Sequence, residues 1–322
     1  MANTFRETLR VVFFGTPDFA VPSLAALLDA GVSVPLVVTQ PDRPVGRHAE
    51  PRPSAVGAFA AERGVPVEKP DTVRGNAALA ERLRAERPDA LAVVAYGRIL
   101  PPELLALPRL APVNVHASLL PRHRGASPIQ AAILAGDAET GVATMRMVEA
   151  LDAGPVYLER RVAIGSRETA GELSARLAPL GGALLVETLR RLAEGPLEPQ
   201  PQAGEPTYCR TIRREDARAD WTLDAAALDR ALRAYTPWPG LFTTLGNERV
   251  KILEAEPWNG SPASTALPPG TLHRDGNELL VAAGGGSTLR ILTLQRAGRG
   301  PVGGAEFAAG ARLPARFGGE RS

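Results

Sequence analysis

Short apolar runs alternate with segments of helical spacing over the first 195 residues of the chain. Five runs have the length and composition of buried strands: Leu9–Phe14, Val34–Thr39, Ala90–Ala95, Val113–His116 and Ala143–Val148. Apolar residues at helical spacing predict helices in four places: about 17–30, Ala55–Glu62, Ala77–Glu86 and Thr169–Glu194. Because strands and helices alternate, the pattern predicts an α/β fold with a doubly wound, mostly parallel, Rossmann-like sheet.

The pattern changes near residue 195. The segment Gly195–Gly204 is rich in Pro, Gln and Gly, which is typical of a linker. Beyond it, Ala225–Ala234 has helical spacing. Short β-like runs separated by Gly and Pro follow: Leu241–Leu245, Arg249–Leu253, Glu278–Ala282 and Thr288–Leu294. We therefore predict a first domain over residues 1–195, a linker over 196–212 and a small β-rich domain over 213–322.

The composition is that of an ordinary globular protein. The chain has 322 residues, of which 44% are hydrophobic and 22% are charged. No run approaches the ~20 apolar residues of a membrane span. Met1–Glu7 lacks the basic and then apolar pattern of a signal peptide, so we expect a cytoplasmic protein with no membrane contact. The single cysteine, Cys209, excludes an internal disulfide framework and any Cys-x-x-Cys zinc site.

The net charge of +2 is too small to identify a nucleic-acid partner. Its distribution is more informative, because residues 290–322 carry six arginines against two glutamates. Basic charge at a C-terminal domain is consistent with phosphate contact. A solvated surface explains the same charge equally well, so charge alone leaves both interpretations open.

The strongest chemical signal is the segment Asn114–Pro121, which reads NVHASLLP. Asn114 and His116 are two positions apart in a predicted strand, so their side chains point to the same face. An amide can stabilise a developing oxyanion and an imidazole can handle a proton. Taken alone, such a pair is more often a satisfied hydrogen-bonding pair. A second signal favours catalysis: Met147–Pro155 predicts an apolar strand that ends at Asp152, and strand ends of open α/β sheets are ligand sites.

Together these motifs resemble the folate-dependent formyltransferase family. The family signature is Asn-x-His-x-Ser-Leu-Leu-Pro, followed by Arg-Gly and later by Leu-Asp-x-Gly, and the chain carries all three elements. Further segments are similar along nearly the whole chain: Phe14–Ala20, Val38–Arg47, Val94–Pro101, Gly136–Val142 and Arg233–Gly240. The last of these lies in a C-terminal region that other folate formyltransferases generally lack or replace. By resemblance, that region is an open barrel of the oligonucleotide-binding type (OB-like) that binds tRNA.

The resemblance implies that the chain moves the formyl group of 10-formyltetrahydrofolate to the α-amino group of methionyl initiator tRNA. Asn114 would donate to the formyl oxygen, His116 would face that oxygen or carry protons, and Asp152 would orient the imidazole. Residues of the Ser-Leu-Leu-Pro loop would bind the folate, largely through main-chain groups: Ser118, Leu119, Leu120 and Pro121. The stretch Val93–Leu100 is either a second wall for the pterin or simply a buried strand running into a turn.

The loop Gln40–Pro53 is longer than most connections and has no periodicity. By resemblance, it enters the acceptor stem of the tRNA, with Arg43 and Arg47 as contacts. The chain departs from the family here, because His48-Ala49-Glu50 replaces residues that are often lysines. It also has Gly154-Pro155 where Gly-Asp is frequent. A disordered surface loop is the alternative interpretation.

Other functions remain in competition at this stage. The same chemistry could serve a small amine, such as a sugar nucleotide or glycinamide ribonucleotide, or could hydrolyse the formyl donor. An RNA-binding protein with an inactive site is the non-enzymatic alternative. With no His, Cys and Asp cluster at ligand spacing, we predict no metal. We expect His48, His123 and His273 at the surface, and the protein as a monomer.

Overall fold

The computed structural model describes residues 9–45, 50–260, 267–310, 313 and 315–318. They form two units, each with its own core. The first contains Met1–Pro128, Glu139–Ala163 and Ser174–Arg210. The second contains Ile129–Ala138, Ile164–Leu173 and Thr211–Ser322.

The regular elements of the described residues are numbered here in chain order. The α-helices are α1 Val21–Asp29, α2 Ala55–Glu62, α3 Ala77–Ala85, α4 Pro102–Leu105, α5 Pro128–Ala135, α6 Ala170–Glu194, α7 Ala225–Tyr235 and α8 Gly304–Gly310. The strands are β1 Arg10–Gly15, β2 Ser33–Val38, β3 Arg43–Val45, β4 Glu50–Arg52, β5 Val67–Glu68, β6 Ala90–Val94, β7 Ala111–His116, β8 Arg124–Gly125, β9 Glu139–Arg146, β10 Val156–Ala163, β11 Tyr208–Cys209, β12 Phe242–Leu245, β13 Glu248–Pro257, β14 Thr271–Asp275, β15 Glu278–Ala282, β16 Thr288–Arg296, β17 Pro301–Gly303 and β18 Ala315–Arg316.

A seven-stranded sheet forms the centre of the first unit, in the order β10-β9-β7-β6-β1-β2-β5. The five neighbouring strands β7, β6, β1, β2 and β5 are parallel. Strands β9 and β10 extend the sheet beyond β7 and are antiparallel to their neighbours. The strand order reverses between β1 and β6, which is where open α/β sheets bind ligands. The predicted mostly parallel, Rossmann-like sheet is confirmed.

Apolar side chains cover this sheet on both faces. Along β1, Val11 and Phe13 join one cluster, whereas Val12 and Phe14 join the other, as strand alternation requires. Helices α1, α2 and α6 supply the first cluster, and α3 and α4 supply the second. Helix α6 approaches β7 so closely that a Cβ atom at Gly181 would lie 2.9 Å from Val115 Cγ1. The strand that carries Asn114 and His116 is therefore held between neighbouring strands and a closely packed helix.

The two longest elements of the first 195 residues that the hydrophobic pattern did not predict are α5 and β10. Helix α5 is short, and β10 carries the exposed charged residues Glu159, Arg160 and Arg161. These side chains form ion pairs, including Arg160 with Glu187, because β10 is the edge strand of the sheet. An edge strand with charged positions lacks the apolar run on which the prediction depended.

An antiparallel sheet in the order β12-β13-β16-β15-β14-β18 forms the second unit, with β17 paired to β16. An antiparallel bridge between Leu245, in β12, and Phe317, which follows β18, joins the two ends of this sheet into a nearly closed barrel. Trp221 stacks on Phe317 with ring centroids 5.6 Å apart. The predicted small β-barrel domain is therefore confirmed, with strands β14, β17 and β18 in addition to the predicted runs. None of the helices in the described ranges is long and apolar enough to cross a membrane.

Candidate active site

Asn114 and His116 lie at the carboxyl end of β7, in the first unit. Their side chains share one face of the strand, and both residues are almost buried, with exposed fractions of 9% and 5%. Within the described residues, no hydrogen bond engages the side-chain amide of Asn114. A nearly buried amide without a partner is costly, so a donor of this kind is suited to a ligand oxygen.

Asp152 approaches His116 from a turn rather than from a strand. The predicted apolar strand over Met147–Leu151 is wrong, because β9 ends at Arg146 and Val148 and Leu151 are exposed. Where β9 ends, the N–H of Met147 donates to the Pro112 carbonyl and that of Arg146 donates to the Pro155 carbonyl. Residues 147–155 thus form a loop that returns on itself and presents Asp152 at its tip.

The turn places the Asp152 carboxylate beside the imidazole. Its Oδ2 atom lies 3.7 Å from His116 Nδ1, which is close enough for an ion pair when the ring is protonated. The same Oδ2 atom accepts a 2.8 Å hydrogen bond from the Gly125 N–H. The backbone φ of Asp152 is +47°, a left-handed conformation that costs energy for a residue other than glycine. Such strain is typical of positions where function, rather than packing, selects the conformation.

The hydrogen bond of the His116 ring shows which of its two nitrogens carries the hydrogen. Nε2 lies 2.9 Å from the carbonyl oxygen of His123, and a carbonyl can only accept, so Nε2 carries the hydrogen. In the neutral ring Nδ1 is then unprotonated and faces Asp152. His116 is therefore arranged to take up a proton at Nδ1, where the carboxylate stabilises the resulting charge.

The expected surface position of His123 is wrong. This residue is 7% exposed, has φ of +56° and donates its N–H to Thr207 Oγ1 at 2.8 Å. Its carbonyl oxygen is thereby turned toward His116, and Cys209 Sγ also lies 3.4 Å from it. No side-chain pattern could signal this role of residue 123, because the role belongs to a main-chain atom. His273 is half-buried, and His48 lies outside the described residues.

The Ser-Leu-Leu-Pro loop follows β7 directly. The Ser118 hydroxyl is fully buried and donates to the Arg122 carbonyl at 2.6 Å, so it braces the loop. Leu120 packs on Ala143 and Met145 of β9. Leu119 is half-buried, and the Pro121 carbonyl accepts a hydrogen bond from the Thr207 N–H. The loop is therefore fixed in the first unit beside the end of β7.

The stretch Val93–Leu100 begins as a buried strand and continues as a partly exposed turn. It is a buried strand through Val94, after which Ala95, Gly97 and Ile99 are exposed. Between them Tyr96 is 2% exposed, and this burial raises the pKa of its phenol. The Tyr96 carbonyl accepts hydrogen bonds from Thr16 Oγ1 and from Gln40 Nε2. This segment lies at the switch point between β1 and β6, so its exposed main chain borders the ligand-binding edge of the sheet.

Arg43 begins the strand pair β3–β4 and is exposed, with its guanidinium donating to the Gln40 side chain. Arg47 lies outside the described residues. Arg43 is therefore linked through Gln40 to Tyr96, at the switch point.

A basic groove lies in the second unit. Its volume is about 430 Å³, and it is lined by Arg214, Trp238, Pro239, Arg249, Lys251, Gln295, Arg296, Ala297 and Gly298. No acidic residue is among these. Arg296 pairs with Glu248, but Arg214, Arg249 and Lys251 form no ion pair with any described residue. Arg249 instead lies over the Phe242 ring at 3.6 Å, and Trp238 is 53% exposed.

This groove differs from the basic surface that the sequence suggested. Of the arginines counted between 290 and 322, Arg290 pairs with Glu256 and Arg296 pairs with Glu248. Within the groove, the unpaired positive charge comes from earlier in the chain, at Arg214, Arg249 and Lys251. Among the described residues, His, Cys, Asp and Glu side chains form no cluster of three that could hold a metal ion.

Two family models match the chain. The formyl transferase model covers residues 9–189, and the model of the formyl transferase C-terminal domain covers residues 211–312. A methionyl-tRNA formyltransferase from Anaeromyxobacter dehalogenans is 49% identical over 293 residues, which are 90% of this chain and 93% of that protein.

Solved structures share the fold at low sequence identity. The methionyl-tRNA formyltransferase from Clostridium thermocellum is 17% identical, with a TM-score of 0.56 over 79% of this chain and 95% of that one. An N-formyltransferase from Helicobacter canadensis, in complex with folinic acid and dTDP-3-aminofucose, is also 17% identical. Its TM-score is 0.64 over 88% of this chain and 98% of that one.

Proposed function

The chain belongs to the formyl transferase family, and we propose that it is the enzyme that formylates methionyl initiator tRNA, using 10-formyltetrahydrofolate as the formyl donor. The product is N-formylmethionyl-tRNA, which serves translation initiation, so the reaction belongs to the cytoplasm. The observation that carries the proposal is the convergence at the end of β7. There, a nearly buried amide without a described partner shares a strand face with an imidazole, 3.7 Å from a carboxylate.

Asn114 supplies the stabilisation of negative charge. When the amine attacks the formyl carbon, the formyl oxygen gains charge, and the Asn114 amide donates to it. A donor placed in this way contributes roughly 2.7–4 kcal/mol to transition-state stabilisation. The amide fits the task because it is almost buried and has no described partner that it must give up.

His116 moves the proton. The formyl carbon gains a bond to the methionine nitrogen and loses its bond to N10 of the folate, so one proton passes from the amine to N10. The Nδ1 atom of His116 takes that proton, and Asp152 stabilises the ring while it is charged. Since Nε2 already donates to His123, the proton travels through one nitrogen only. No step of this scheme requires a metal ion or a covalent intermediate.

The folate is proposed to bind along the Ser118–Pro121 loop. The loop is fixed beside β7 by the Ser118 hydroxyl and by the packing of Leu120, so its main-chain groups keep a constant position. The exposed main chain near Gly97 offers a second edge at the switch point. The residues of the site come from one chain, and we therefore expect the monomer to be active.

The tRNA is proposed to make two sets of contacts. Arg43 and Arg47 of the loop 40–53 face the acceptor stem, and the basic groove of the second unit binds the phosphate backbone. Unpaired Arg249 and Lys251 beside the exposed Trp238 combine positive charge with an aromatic surface, as RNA-binding sites do. These features favour tRNA over a small amine as the acceptor.

A transfer assay with the full chain tests the proposal. Labelled 10-formyltetrahydrofolate is offered with methionyl initiator tRNA, with a 3-amino sugar nucleotide, or with no acceptor. We expect label on the tRNA, with little on the sugar and slow release of formate. Preferential labelling of the sugar, or release of formate that the tRNA does not divert, would overturn the assignment.

A further inference from the structure

Gln202 lies in the Pro-rich segment after α6, and its side chain forms four hydrogen bonds. The Nε2 group donates to the carbonyl oxygens of Asp152 at 2.8 Å and Gly154 at 2.7 Å. The Oε1 atom accepts from the Nε and Nη2 atoms of Arg124, at 3.0 and 2.7 Å. A primary amide has two hydrogens and two lone pairs on its oxygen, so all of its hydrogen-bonding capacity is used.

These bonds form a closed ring with the Asp152 side chain. From Arg124 the ring passes through Gln202 to the main chain of Asp152. It then continues along the Asp152 side chain to the N–H of Gly125, which is the neighbour of Arg124. Both the main chain and the carboxylate of Asp152 are therefore tied to the two-residue strand β8.

The turn needs such a restraint. Asp152 has φ of +47°, a left-handed conformation that is uncommon for a residue with a side chain. Its neighbours Val148 and Leu151 are exposed, so apolar packing does little to hold the turn. The two carbonyl groups that Gln202 binds lie on either side of Ala153, and they fix the direction of the chain where it carries the carboxylate.

We propose that Gln202 is a positioning residue for the formyl transfer, and that it keeps the Asp152 carboxylate beside His116. The inference rests on the proposed role of Asp152. Without the two donors from Nε2, the turn is free to relax from its left-handed conformation, and Oδ2 moves away from Nδ1. Displacements of about 1 Å in a catalytic constellation can lower turnover by roughly 10²-fold.

Two substitutions and one control test the inference. Gln202→Leu removes all four hydrogen bonds, whereas Gln202→Glu keeps an acceptor for Arg124 and loses the donors to the turn. The control is Gln200→Leu, two positions earlier, because the Gln200 side chain bonds only the Glu198 carbonyl and its main chain still pairs with Val156. We expect both Gln202 variants to lose about 10- to 100-fold in kcat with little change in KM for tRNA, and Gln200→Leu to match the wild type.

A double-mutant cycle with Asp152→Asn separates positioning from general destabilisation. If Gln202 acts through the carboxylate, Gln202→Leu should lower kcat much less in the Asp152→Asn background than in the wild type. Full additivity, or wild-type kcat in Gln202→Glu, would overturn the inference while leaving the role of Asp152 in place. If Asp152→Asn itself keeps wild-type kcat, the proposed function of the carboxylate fails first.

Discussion

His116 donates from Nε2 to the main-chain oxygen of His123 across 2.9 Å. Since this bond assigns the hydrogen to Nε2, the neutral imidazole has its lone pair at Nδ1, on the side of Asp152. A main-chain carbonyl thus selects the tautomer, and the carboxylate stabilises the charged form. In the proposed mechanism the imidazole serves as a base, and it needs both the His123 carbonyl and the Asp152 carboxylate for that role.

We expect His116→Ala to lower kcat at least about 10²-fold, because the proton then has no carrier between the amine and the folate. Single-turnover formylation measures the effect, and filter binding of methionyl initiator tRNA should give nearly the wild-type Kd. The matched control is His273→Ala, a half-buried histidine in β14 of the second unit. Turnover of His116→Ala within a few-fold of wild type would remove the imidazole from the mechanism.

The Asn114→Ala variant should lose about 10²- to 10³-fold in kcat, since one oxyanion donor is removed. The KM for 10-formyltetrahydrofolate should change little, because the amide acts on charge that develops only during the reaction. Steady-state kinetics at saturating tRNA separate the two parameters. An increase in the KM for folate at constant kcat would instead mean that Asn114 binds the ground state.

The basic groove predicts a defined salt dependence. Lys251→Ala should weaken tRNA binding and reduce the slope of log Kd against log salt by about 1, as the loss of one phosphate contact requires. At saturating tRNA, kcat should stay at the wild-type value. Arg161→Ala is a suitable control because Arg161 already pairs with Glu139 and Glu159. An unchanged slope in Lys251→Ala would exclude the groove from tRNA binding.

Gly125 tolerates substitution poorly. Its φ is +119°, and a Cβ atom there would lie 2.1 Å from the Cys209 carbonyl oxygen. We expect Gly125→Ala to lower the free energy of unfolding by more than about 2 kcal/mol and to reduce kcat, because the chain must shift where it donates to Asp152. Gly31→Ala is the control, since Gly31 also has positive φ, at +77°, but no atom within 4 Å of an added Cβ. Equal destabilisation in urea unfolding would assign the cost to the dihedral angle alone.

The thiol of Cys209 should resist alkylation at neutral pH. Burial raises its pKa, and its Sγ atom lies 3.3 Å from the Arg124 carbonyl oxygen. Because the folded pKa is the higher one, the protonated form is favoured in the native state. The associated stability is present below the unfolded thiol pKa of about 8.5 and is lost as the pH rises through the folded value. Iodoacetamide should therefore react slowly at pH 7.5 and faster under alkaline conditions, and urea-unfolded protein provides the reference rate. Rapid reaction of the native protein at pH 7.5 would contradict this description of the cysteine.

The sequence predicted the elements whose signal is local. The apolar runs around Phe13, Ala92 and Val115 became central parallel strands, since strands buried on both faces need continuous hydrophobic residues. The two-residue spacing of Asn114 and His116 predicted their common face, because side chains alternate along a strand. The Leu-Asp-x-Gly motif identified Asp152 as the third candidate group, although the apolar residues around it suggested a strand that does not form.

The remaining features of the site arise from contacts between distant segments. The His123 carbonyl and the Gly125 N–H are main-chain groups, and no side-chain pattern marks them. Gln202 lies in a segment whose composition is typical of a linker. Its side chain nevertheless forms hydrogen bonds with Asp152 and Gly154, which precede it by 50 and 48 positions. Val148 and Leu151 are apolar and suggested a buried strand, but they lie in a turn and remain exposed. Burial and long-range hydrogen bonds decide such cases, and neither can be read from local sequence.

The parallel pairing of β8 with β11 has a consequence for how genes of this family can recombine. Tyr208 and Cys209 align with Arg124 and Gly125, and the Thr207 hydroxyl accepts from the His123 N–H, so residues beyond 200 complete the unit that carries the proposed active site. A crossover within the Pro-rich segment would keep Asn114, His116 and Asp152. It would replace β11 and Gln202 with the corresponding residues of the other homologue. Exchange of the barrel between homologues should therefore preserve activity only when the junction falls after Arg210.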